Sequence, residues 1–127
     1  QAAANFQEAA TILRSIGKLI AAYESEIGLA EVYRRCGQLD RALKLIIPIL
    51  PHLPTVAAVG WDEPVRAYVF CVRSLQAAHD PKAAEVLTQG LQLLARLAGN
   101  IADRKHRAHF LDALPAHRQL RRLEFMP

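Results

Sequence analysis

Cysteine, methionine and tryptophan are scarce in this chain, at two, one and one in 127 residues. Cys36 and Cys71 stand alone without CxxC spacing. That excludes a disulfide scaffold and a thiolate zinc site, and predicts two reduced, half-buried thiols of a cytoplasmic protein. Arg34 and Arg35 lie near Cys36 and would favour its thiolate, but no histidine base is placed beside either sulfur, so packing is their expected role. Aromatics make up only 6%, so a core must be built mostly from leucine and alanine. No apolar run reaches membrane-spanning length, and no segment resembles a signal peptide. No stretch alternates with period two, which excludes a sheet and predicts an all-α chain. A nucleophile–base pair, paired carboxylates, an HExxH and a phosphate loop are all missing. The expectation is therefore no enzyme, no cofactor and no metal.

What is present fits a single domain. The chain is 52% apolar and 22% charged, near the globular average. It begins at Gln1 and reads as a segment of a longer protein. The net charge of +4 is uneven. Residues 1–95 carry equal numbers of basic and acidic side chains. The excess lies after them, in Arg96, Arg104, Lys105, Arg107, Arg118, Arg121 and Arg122 against Asp103, Asp112 and Glu124. A solvated helical end accounts for this; an anionic partner, nucleic acid included, is the sharper reading.

Apolar periodicity predicts seven helices with antiparallel neighbours. The first covers about 3–16, with Phe6, Ala9, Ala10, Leu13 and Ile16 on one face, and weakens at Gly17. The second covers about 18–36, with Ile20, Tyr23, Ile27, Ala30 and Tyr33 inward, and ends on Gly37 as a left-handed cap. The third starts near Leu39–Asp40 and carries Ala42, Leu43, Ile46, Ile47 and Leu50. Pro48 costs about 3 kcal/mol inside a helix, and each buried Leu or Ile returns about 1.5–3 kcal/mol. The helix is therefore expected to run kinked across Pro48 and stop near residue 50. Residues 51–61 form an irregular connection, in which Thr55–Val59 adds a turn of helix. Trp61 there either contacts a partner or plugs an apolar gap beneath the loop, the second being the ordinary habit of tryptophan. Asp62 is the expected cap of a fourth helix, to about Ala78, with Val65, Tyr68, Val69, Val72 and Leu75 inward. Asp80-Pro81 opens a fifth, to about Leu97. A sixth covers about 102–113, and Pro115 opens a seventh, to about Glu124.

Three segments, from Ala4, Gly37 and His79, each place an alanine in the first turn of a helix after a turn. These are Ala9, Ala42 and Ala84, separated by 33 and 42 residues. The first spacing is near the helix-pair period of about 34. Small residues there would let helix backbones approach closely, so Ala42 and Ala84 are expected at buried helix–helix crossings. Leu29-Ala30, Tyr33, Gly37 and Ala42, with Pro54 at the end, follow the order of a tetratricopeptide repeat, which the chain resembles. The resemblance implies an all-α solenoid of stacked antiparallel helix pairs. It would form one domain over 1–127, with 3–58, 62–98 and 102–124 as helical subunits. Asp62-Glu63-Pro64, Ala83-Ala84, Ile101, Asp103, Arg107, Phe110-Leu111, Pro115 and Arg118 extend it to the helical-repeat region of large bacterial ATPase-linked transcriptional regulators and cyclases. It implies a protein–protein interaction scaffold of a signalling or transcription regulator. It does not lend this chain an ATPase, cyclase or DNA-reading activity, since no segment carries those motifs.

In stacked helix pairs the first helix of each pair lines the concave face. Here that face would offer Glu24, Ile27, Glu31, Arg34 and Arg35, then Arg66, Val69 and Arg73. Arg34, Arg35, Arg66 and Arg73 are the candidate partner-binding residues, facing water and fitted to an acidic peptide or an acidic surface of a neighbouring domain. The rival site is Arg118, Arg121 and Arg122, for nucleic acid. His106, His109 and His117 are expected on a solvated face, since neighbouring arginines repel a cation. Asp103 either pairs with Arg107 four residues on or caps its helix. Arg107 is otherwise expected to be held by a carboxylate of a neighbouring helix. Phe110 and Leu111 should anchor the last helices onto the fifth.

Overall fold

The structure, a computed structural model, describes residues 2–59 and 63–123, and the side chains of all these except residues 2–7, 13, 58, 59 and 113. It is helical, with no strand among the described residues. The elements are α1 (Ala2–Arg35), α2 (Leu39–Ile46), a 3-10 turn (Leu50–His52), α3 (Leu53–Val59), α4 (Pro64–Ala77), α5 (Lys82–Gly99), α6 (Arg104–Ala113) and α7 (Pro115–Leu123).

Seven α-helices are present among the described residues, but not the expected seven. The first two merge into α1, 34 residues and about 51 Å long. Gly17 does not end the helix. A glycine inside a helix costs about 1 kcal/mol relative to alanine, and no cap or proline accompanies it. Its φ is not positive, and a Cβ built there would meet nothing within 4 Å. The seventh helix is instead recovered from the connection, as α3.

Pro48 stops α2 rather than bending it. The helix ends at Ile46 and the chain turns through 47–49. Ile46, Ile49, Leu53, Val56 and Ala57 are nevertheless all buried. The apolar spacing thus carries through the break, and α2, the 3-10 turn and α3 line the core as one interrupted rod. Trp61 and Asp62, expected as plug and cap, lie outside the described residues, as does Glu124 at the expected end of the last helix. Glu63 stands at the N-cap of α4 without a side-chain cap bond, followed by Pro64.

Both long turns close in the same way. After α1, Gly37 takes φ +77°, Gln38 N–H donates to Tyr33 C=O at 2.8 Å and Gly37 N–H to Arg34 C=O at 3.1 Å. After α4, His79 takes φ +55°, with Asp80 N–H on Leu75 C=O at 2.9 Å and His79 N–H on Gln76 C=O at 3.0 Å. Each is a left-handed cap that satisfies the last helix carbonyls. The two caps are 42 residues apart, the spacing of Ala42 and Ala84. The helices that follow do not keep that register. Ala42 is fully buried, whereas Ala84 and Ala9 are exposed. The helix after Gly37 starts at Leu39, two residues on; after His79 it starts at Lys82, three on. On α5 it is Ala83, Val86 and Gly90 that face inward instead.

α4 is the centre of the molecule. It packs on α1, α2, α3, α5 and α7 and buries Val65, Ala67, Tyr68, Val69, Cys71, Val72, Ser74 and Leu75. α5 lies so close that a Cβ on Gly90 would stand 3.0 Å from Tyr68 Cβ, so any side chain at this crossing would have to push Tyr68 aside. α7 closes the core from the other side with Ala116, His117, Leu120 and Leu123.

Candidate partner-binding face on α1 and α4

The C-terminal half of α1 lies against α4, and this brings three of the four candidate arginines to one carboxylate. Glu31 is 4% exposed. Arg34 grips it with two bonds, Nε to Oε2 at 3.0 Å and Nη2 to Oε1 at 2.5 Å. Arg35 Nε donates to Oε1 at 3.1 Å. Arg73 Nη1 reaches across from α4 to within 3.7 Å of the same oxygen. Burial pushes the Glu31 carboxyl up, but the bonds and charge of Arg34, with Arg35 and Arg73 behind them, outweigh it and hold the pKa below the usual carboxylate range. The Arg34 guanidinium is correspondingly held more firmly protonated, chiefly by its bond to Glu31.

Several expectations are corrected here. Glu31 and Val69 do not line an open groove, and Ile27 only borders a shallow cleft; all three are buried. Arg34 and Arg73 do not simply face water, with side chains 25% and 26% exposed. Arg35 is exposed. Arg66 stands apart from the cluster: its Nη1 pairs with Glu63 Oε2 at 3.1 Å and its guanidinium lies 5.9 Å from the Phe70 ring centre. A shallow cleft of about 40 Å³ separates these groups, between Glu24, Ile27 and Gly28 of α1 and Arg66, Ala67 and Phe70 of α4. Three guanidiniums on one carboxylate leave an excess of two positive charges beside it. The arrangement can hold an anion; it contains no acid–base or nucleophilic pair.

The rival patch on α7 is more open. Arg118, Arg121 and Arg122 are exposed, and Arg121 Nη1 is tied to Asp112 of α6 at 3.0 Å. The histidines divide. His106 and His109 are exposed, while His117 is buried, contrary to expectation. Its Nδ1 lies 2.8 Å from Phe110 C=O, and the two rings are 4.5 Å apart between centres. The apolar run of α7 rotates His117 inward, where the free carbonyl of Phe110 gives it a partner. Phe110 and Leu111 are half-buried and pack on the core. Asp103 caps α6, accepting from Lys105 N–H at 2.8 Å and His106 N–H at 3.0 Å. Arg107, expected on a carboxylate, donates instead to Ile101 C=O through Nε and Nη2. No group of three or more His, Cys, Asp or Glu able to hold a metal occurs among the described residues.

The thiols also differ from the half-buried expectation. Cys36 is exposed and Cys71 fully buried, the latter pushed up to about 12 by burial, with a smaller push from the Glu31 charge. No helix among the described residues is long and apolar enough to cross a membrane.

The Glu31 network was not legible in the sequence. Glu31, Arg34 and Arg35 share one helical neighbourhood, but only the packing of α4 against α1 brings in Arg73 and removes the carboxylate from water. Compared with protein-family models, with curated proteins and with solved structures, the chain finds no match in any of the three.

Proposed function

We propose that this chain is a non-catalytic scaffold for protein–protein contact, a tetratricopeptide-like segment of a larger bacterial signalling or transcription regulator, working in the cytoplasm. The observation that carries this reading is the placement of two helix pairs, α1 with α2 and α4 with α5, so that α1 and α4 lie side by side. In stacked helical repeats this is the relation between the first helices of successive pairs, which together form a binding face. The repeated left-handed caps at Gly37 and His79 support the same reading, as do the unpaired thiols. The excess positive charge around Glu31, with Arg35 exposed at its edge and Arg66 farther along α4, suits an acidic peptide or an acidic surface of a neighbouring domain.

The second reading, nucleic-acid binding through α6 and α7, is favoured by the exposure of Arg118 and Arg122. A glutamate-rich fluorescent peptide and a DNA duplex, each titrated at several salt concentrations, separate the two. The scaffold reading expects the peptide to bind and to lose about tenfold in affinity in Arg35→Glu/Arg66→Glu. Duplex binding with a steep salt dependence, abolished by Arg118→Glu/Arg122→Glu, overturns it.

A further inference from the structure

Glu31 is outnumbered by the arginines around it. Arg34, Arg35 and Arg73 all address this one carboxylate. Among the described residues no other acid pairs with any of the three. A guanidinium carries five N–H donors and no acceptor, and few of these donors are used. Arg34 donates through Nε and Nη2 and Arg35 through Nε alone. Arg73 stands 3.7 Å from Glu31 Oε1, beyond hydrogen-bond length. Nη1 of Arg34, both Nη groups of Arg35 and the whole Arg73 fork are therefore without an acceptor in the described fold. Exposure divides in the same sense. Glu31 is buried, Arg35 is 66% exposed, and Arg34 and Arg73 are part-exposed. An incoming group meets donors and positive charge rather than the carboxylate. The positive region is also short. The cleft next along the α1–α4 groove is bordered by Glu24 and Glu63.

We infer that this cluster receives a phosphorylated side chain of a partner protein, with Arg34, Arg35 and Arg73 holding the phosphate and Glu31 positioning them. The inference rests on the scaffold reading above and specifies the ligand of that same face. Charge selects the phosphate. Three guanidiniums on one carboxylate leave two positive charges, which a phosphate monoester of about −1.5 to −2 at pH 7 matches in one group. A single carboxylate would neutralise only one of them. A run of glutamates would spread its charge along the groove, toward Glu24 as well as toward the arginines. Donor geometry agrees. The unused N–H groups come as forks from three directions around one point, and the three terminal oxygens of a phosphate accept such forks in pairs. A phosphate opposite an arginine cluster gains several charge-assisted bonds at once. The adjoining cleft, walled by Ile27, Gly28, Ala67 and Phe70, gives the residues flanking the phosphate an apolar contact, which a free phosphate ion could not use.

The test titrates the full chain with fluorescent alanine-rich peptides that differ only in a central phosphoserine, glutamate or serine. Fluorescence anisotropy gives affinity, and backbone amide NMR shifts give location. At about pH 7.5, where the phosphate is a dianion, the phosphoserine peptide should bind about tenfold more tightly than the glutamate peptide. The serine peptide should bind weakest. The shifts should fall around residues 31–36 and 70–74. The phosphoserine affinity should drop about fourfold by about pH 5.5 as the second phosphate proton returns. Glu31 stays charged and Cys71 stays protonated over that range, so the drop reports the ligand. Arg35→Gln, at an exposed position, should lose about tenfold in phosphoserine affinity with unchanged helical circular dichroism. Equal affinity for the phosphoserine and glutamate peptides overturns the inference. So do shifts confined to α7, or inorganic phosphate that binds as tightly as the phosphoserine peptide. If the phosphoserine peptide fails while the glutamate-rich peptide of the preceding test binds, only this inference falls. If both fail, the scaffold reading falls with it.

Discussion

The two halves of α1 share a helix and a stripe but not an environment. From about residue 26 onward the stripe is roofed by α2 and α4, Ile27 and Ala30 are buried, and Glu31 is held by three arginines. Before residue 20 the stripe is just as apolar, and its large side chains stand half in water. Helical periodicity shows which face of a helix is meant to be covered. It does not show what covers it, and among the described residues the cover runs out halfway along one rod.

The sharpest way to break that contrast is to remove the same side chain from both halves. Ile27→Ala should cost about 2–5 kcal/mol, as for a buried isoleucine whose site cannot collapse. Ile16→Ala should cost less than about 1 kcal/mol, because about half of that side chain is already in water. Urea denaturation of the two variants compares them. Equal losses would mean that the two halves are equally covered.

Glu31 offers the next largest effect. Glu31→Gln keeps the shape but removes the charge that three guanidiniums address, and should cost about 1–3 kcal/mol. The sign with pH follows from the lowered folded-state pKa. An unfolded carboxylate titrates near 4.3, so the stabilisation from Glu31 is complete above about pH 5 and is lost as pH falls through the lower folded value. The wild-type chain should lose stability between about pH 5 and 3 more steeply than Glu31→Gln. Parallel pH profiles would show that the cluster is not coupled to folding.

The smallest effect concerns Gly17, at the junction between the halves. In a continuous helix, alanine is favoured over glycine by about 0.5–1 kcal/mol, and the structure leaves room for the Cβ. Gly17→Ala should therefore raise the melting temperature slightly. A lower melting temperature would indicate that the chain turns there, as the sequence by itself suggests.

Legibility in the sequence was uneven for physical reasons. The all-α class, the left-handed cap at Gly37, the ends near Asp80 and Pro115 and most of the α4 core follow from spacing and turn chemistry, which are local. The failures are tertiary. Gly17 is a weak breaker overruled by the good helix formers around it. Pro48 stopped its helix because the next apolar residues could reach the core through a 3-10 turn. Ala84 lost its place because the packing of α5 on α4 turns Ala83, Val86 and Gly90 to the core instead. In the candidate site, Arg34, Arg35, Arg66 and Arg73 were nameable from repeat spacing, but the buried carboxylate that gathers three of them was not. His79 gave no signal as a left-handed cap because it is not glycine.

The contrast within α1 is tested most directly by amide hydrogen exchange of the intact chain. In the dilute protein, amides from about residue 24 to 35 should exchange only through large-scale opening, while those from about 8 to 20 exchange far faster through local fraying. Equal protection along all of α1 would contradict the account.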